Sequence, residues 1–186
     1  MTVKPDHSYF IDYAPVSKGV DLIERFEKGV ARAKADGFEY VYVIENDDWY
    51  PANYFEKMHF GYPDGLQYDI VGIPFSHYYH IGNRRHQLLN HPLRASLFCT
   101  GFKTKILKDF RHGQNLDISI WKHIRETRCS LKFVYDLLPI GIKHGMGLCA
   151  GMGHNKMKLK NEDKDMSWLR SHVDSDAWTF YNTLKL

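Results

Sequence analysis

The stretch FEYVYVIENDD, residues 38–48, decides how the chain folds. Residues 38–44 are dense in aromatic and β-branched side chains and read as a buried strand, and a run of acids follows at its end. Upstream, Val20, Ile23, Phe26, Val30, Ala31 and Ala33 recur at three- and four-residue spacing. That pattern predicts a helix over 19–37, with Asp21 as cap or first-turn acid and Gly37 as its stop. Before it, SYFIDY (residues 8–13) alternates well enough for a short strand. Downstream, Pro51 opens a helix to about His59, and residues 69–74 form a second buried strand. A hairpin follows within residues 76–100, broken at Gly82 and Asn83, and then a strand over 96–102. Helices are expected over 104–110 and 116–125, strands over 132–135 and 139–143, and a last amphipathic helix from about Ser167. Helices alternate with strands early and strands pair later, which is an α/β fold with a mixed sheet and no repeat period.

With 186 residues and 44% hydrophobic side chains, the chain can bury a core without disulfides, as one domain. Its apolar runs are too short to span a bilayer. The N-terminus, MTVKPDHSYF, carries no export signal. Cys99, Cys129 and Cys149 are odd in number and lack C-x-x-C spacing, which fits a reducing cytoplasm. A net charge of +3 permits a polyanionic partner without arguing for one. The twelve Tyr, eleven Phe, four Trp and eleven His stand out; they suit stacking on sugars or bases, metal binding, or a β-rich core.

Glu45, Asn46, Asp47 and Asp48 place oxygen ligands at a strand end, where open α/β sheets bind ligands. Mg²⁺ and Mn²⁺ prefer such donors and keep substrate phosphates as further ligands. The alternative is that one acid simply caps the following helix. Residues 140–156 run from a strand into a loop with Gly145, Gly147, Gly151 and Gly153, His144 and His154, and flanking Lys143 and Lys156. Such a loop suits phosphate and metal, or is a turn-rich connection.

The helix RFEKGVARA (residues 25–33), followed by residues 37–51 ending in ENDDWYP, resembles the nucleotide-sugar half of a family-2-like GT-A glycosyltransferase. There an Arg-bearing helix leads into the strand that ends in a D-x-D motif, whose counterpart here is Asn46, Asp47 and Asp48. The resemblance extends more loosely through residues 69–73, 78–80 and 96–102 and covers roughly residues 8–155. It implies a three-layer α/β/α domain with a mixed central sheet. A nucleotide-sugar half would span 8–100, an acceptor and metal-completing half 101–160, and a C-terminal helix 161–186. Only one strand fits ahead of Gly19, so the likeness is to a compact or N-terminally abbreviated version.

The resemblance also implies a Mn²⁺ or Mg²⁺ ion and a nucleotide-diphosphate sugar, a UDP-sugar in the usual case. Asp48 would bind the metal, with His144 or His154 completing the site; Asp47 and Asp48 remain interchangeable as ligand. Arg25, Glu45, Asn46, Asp47, Gly145, Gly147 and Lys156 would line the donor. Asp117 would be the base that deprotonates the acceptor hydroxyl, or merely a helix cap, with Asp109 and Asp136 as weaker candidates. The acceptor would be a glycan or, by analogy with viral enzymes that decorate DNA, a hydroxymethylated base. Trp49, Tyr50, Tyr78, Tyr79 and Trp121 could stack on sugar or base, though half or more should be core. His77, His80, His86, His91, Arg84, Arg85 and Arg94 make a locally basic segment, a solvated face by default. The rival function is a non-catalytic nucleotide- or carbohydrate-binding module of the same fold; a metal phosphohydrolase would want more clustered His and Asp.

Overall fold

The computed structural model describes residues 7–11, 21–60, 67–107, 115–145 and 157–184. Helix α1 (Asp21–Ala35) buries Phe26 and Ala33 on one face. It ends in a Schellman motif: Gly37 takes φ +83°, its N–H donates to the Lys34 carbonyl, and the Phe38 N–H donates to the Ala33 carbonyl at 2.9 Å. The chain leaves directly into β1 (Tyr40–Tyr42), the centre of the stretch that reads as a buried strand.

The other strands are β2 (Ile70–Gly72), β3 (Phe75–His80), β4 (Arg85–Asn90), β5 (Thr100–Lys103), β6 (Leu131–Phe133), β7 (Ile140–Lys143) and β8 (Asn161–Glu162). They divide between two four-stranded sheets, β1-β5-β2-β6 and β7-β3-β4-β8, where one central sheet was expected. Both sheets are mixed: β5 is antiparallel to β1 and β2 while β6 is parallel to β2, and β7 is parallel to β3 while β4 is antiparallel to it. The described residues form a mixed α/β architecture without a barrel. Among the described residues no helix is long and apolar enough to cross a membrane.

Helix α2 (Leu116–Glu126) drives Ile120, Trp121 and Ile124 into the larger core, against the first sheet. The approach is close enough that a Cβ on Gly72 would lie 2.5 Å from the Trp121 ring, so a glycine is needed there. Trp121 is therefore core and not a sugar platform. Tyr79 is equally buried, in a second core with Ile140, Ile142, Leu169 and Tyr181.

Five further expectations need correction. Ser8–Ile11 form no strand; Tyr9 and the Ile11 carbonyl bond instead to Asp36 and Arg25 around α1. The strand over 96–102 starts as a 3₁₀ turn, Leu97–Cys99, and the helix after Pro51 ends in a π-helical turn, Glu56–Phe60. The C-terminal helix is two helices, α3 (Ser167–His172) and α4 (Ser175–Thr183), after β8 has added to β4. Val173 is extended there, and the Asp174 carboxylate accepts from the Asp176 and Ala177 N–H groups, starting a new helix. The basic middle segment is solvated only in part: Arg84 is exposed, but His77 and His80 are buried, and His77 and His86 stack on Trp168, each with ring centroids 4.1 Å away.

Candidate metal centre between the two sheets

The acid run crosses from one sheet to the other. Val43 still donates to the Thr100 carbonyl of β5, whereas Trp49 exchanges both backbone hydrogen bonds with Ile140 of β7, each 2.9 Å. Between them the chain turns, with the Asp48 N–H reaching the Glu45 carbonyl at 3.3 Å. The turn brings Glu45, Asp47 and Asp48 together, so that one carboxylate oxygen from each lies within 4.8 Å of the others. Asn46 is exposed.

Asp48 is 8% exposed. Its Oδ1 accepts the Ile142 N–H at 2.7 Å, and its Oδ2 is buried with no hydrogen-bond partner among the described residues. Burial pushes this carboxyl well above the usual carboxylate range, repulsion from Glu45 and Asp47 adds to that, and Lys143 opposes it. Burial also raises Glu45, with Asp47 and Asp117 adding and Lys143 opposing. The Lys143 side chain is buried too; burial works against its ammonium, yet Asp48 and Glu45 hold its pKa above the ordinary lysine value. Its Nζ stands 5.2 Å from the centre of the Tyr78 ring.

His144, the next residue after β7, reaches the cluster through Asp47, Nε2 to Oδ2 at 3.0 Å. Gly145 follows at φ +70°, a left-handed turn that suits glycine. Asp117 lies in the first turn of α2, where Asn115 and not Asp117 occupies the cap position, and it pairs with Arg94. Its charge is felt at Glu45. Thus Glu45, Asp47, Asp48 and His144 converge, while Asp117 is held by Arg94 and acts on Glu45 only through its charge. Arg25 sits on α1 and donates to the Ile11 carbonyl at 2.9 Å. Asp136 is an exposed partner of Lys57. Gly147, His154, Lys156 and Asp109 lie outside the described residues.

Of the flanking aromatics, Tyr50 accepts the Glu45 N–H on its hydroxyl at 3.0 Å, and Trp49 donates its indole N–H to Asp174 at 2.8 Å. Three participants were not legible as such: Lys143 as a buried counter-charge, and Asp174 and Tyr181 on the C-terminal segment. For Lys143 a signal existed, a lone lysine closing the apolar run PIGIK. The chain matches no protein-family model, no curated protein and no solved structure.

Proposed function

We propose that this chain is a metal-dependent glycosyltransferase of GT-A-like fold, moving a sugar from a nucleotide-diphosphate donor, a UDP-sugar first among candidates, to a hydroxyl on a glycan or a hydroxymethylated DNA base. The observation that carries this reading is the orphaned, buried Asp48 Oδ2 inside a triad of carboxylates in the turn between the two sheets. Ionising a buried carboxyl whose oxygen has no donor is costly, and a hard divalent cation is the partner that would offset that cost. Glu45, Asp47 and Asp48 supply an all-oxygen donor set of the kind Mn²⁺ or Mg²⁺ takes, with His144 orienting Asp47.

Bound there, the ion would supply positive charge to a departing diphosphate. Asp117 takes the acceptor proton, and Arg94 fixes its carboxylate in the first turn of α2. The test is a thermal-shift and calorimetric screen of nucleotide-diphosphate sugars with Mn²⁺, with EDTA, and with Asp48→Ala. Binding that appears only with Mn²⁺ and disappears in Asp48→Ala is the expected result. Equal affinity in EDTA or in the variant removes the metal from the reading.

A further inference from the structure

Residues on both sides of Asp48 are held by the C-terminal segment. Ahead of it, the Asp47 carbonyl accepts the Tyr181 hydroxyl at 3.1 Å. After it, the Trp49 indole N–H donates to Asp174 Oδ2 at 2.8 Å. Neither contact is local: the partners are 134 and 125 residues apart. Both anchors belong to one element, since Asp174 caps α4 through Oδ1 while Oδ2 receives Trp49, and Tyr181 is 5% exposed near the other end of that helix. The segment is itself moored to the second sheet. Asp163, 5% exposed, accepts the Tyr79 hydroxyl at 3.0 Å and the Trp168 and Leu169 N–H groups that open α3.

We propose that α4 is the positioning element of the acid turn, with Tyr181 and Asp174 as its two pins. Cation affinity is then set partly by side chains that touch no cation. Three carboxylates that repel one another tend to spread, and a donor set works only when its oxygens are held close before the ion arrives. The turn's backbone bonds to Ile140 secure Trp49, and the Tyr181 hydroxyl secures the carbonyl between Asp47 and Asp48. Tyr181 and Asp174 are positioning residues; the cation ligands are the acids.

This inference rests on the cation reading of the turn, so the test has two readouts. Tyr181→Phe removes one hydroxyl. Asp174→Asn keeps an oxygen for the helix cap and replaces the one that receives Trp49. The full chain is titrated with Mn²⁺ by electron paramagnetic resonance, and amide hydrogen exchange is followed over residues 45–49. Each variant is expected to bind Mn²⁺ about three- to tenfold more weakly, the scale of one lost hydrogen bond, and to exchange faster over that stretch. Thr179→Ala, which deletes only a hydroxyl bond to the Ser175 carbonyl on the same helix, should leave both readouts at wild type. Wild-type affinity and wild-type exchange in Tyr181→Phe and Asp174→Asn overturn the proposal. Should the wild-type chain bind no Mn²⁺, the cation reading falls, and exchange alone decides the role of α4: faster exchange in both variants upholds it, unchanged exchange overturns it.

Discussion

Asp117 and Arg94 meet across 23 residues of chain, between the loop after β4 and the first turn of α2, with both side chains about three-quarters buried. A carboxylate that only capped a helix would face backbone N–H groups; this one faces the Arg94 guanidinium, and its charge raises the Glu45 pKa. Asp117→Asn keeps the shape and loses the capacity to accept a proton. Turnover is therefore expected to fall by about two to four orders of magnitude, the usual share of a general base, while Mn²⁺-dependent donor binding persists. Retained turnover would take the base role from Asp117; unchanged binding with no activity in the wild type would favour the rival binding-module function. At this scale the sequence exposed the acids well, because the run Glu45, Asn46, Asp47 and Asp48 directly after an apolar, strand-forming stretch is unusual in composition. It could not show that Asp163, in a run of Lys, Asn, Glu and Asp, is buried as a cap for α3, because its partners, Tyr79 and the α3 backbone, are set by the fold.

Elements were legible where local pattern and burial agree. Helix α1 and its glycine stop follow directly from spacing, and the hairpin β3-β4 from its Gly82 and Asn83 break. The C-terminal helix was misjudged because amphipathic spacing continues across Val173, while the Asp174 carboxylate interrupts it. α3 is held to the second sheet by rings: Trp168 stacks on His77 and His86 of β3 and β4, and on its own His172 at 4.0 Å. Burial lowers the His77 pKa from 6.5 to about 4, with His86 and His172 adding repulsion, and burial lowers His86 as well. Below pH 6.5 the unfolded chain takes up protons that these folded histidines refuse. Their contribution to stability is complete above that pH and is lost as pH falls towards 4. The thermal midpoint should drop over this window. In His77→Phe, which keeps a ring on Trp168, the drop should be shallower; an identical pH profile would assign the acid sensitivity to other groups.

At the scale of the whole molecule, the acid turn is a crossing between two sheets, so the candidate site is also a joint. The division into two sheets was not legible, because which strands pair is settled by contacts such as Trp49 with Ile140 and Gly72 with Trp121, far apart in the chain. Placing three carboxylates at that joint costs stability: Asp48 Oδ2 is buried without a donor, and Glu45 and Asp47 repel it. Asp48→Asn keeps an oxygen for the Ile142 N–H and turns the orphaned oxygen into an amide that can donate to its acidic neighbours. In EDTA the variant should therefore unfold at a higher temperature than the wild type. Mn²⁺ at about a hundredfold excess over its Kd should add about 2.7 kcal/mol to the wild type, because only the folded chain assembles the triad. The variant should gain little, so the order of the two midpoints reverses when the ion is added. If Asp48→Asn is the less stable protein in EDTA, the Asp48 carboxylate serves the fold itself, and the orphaned oxygen no longer argues for a cation.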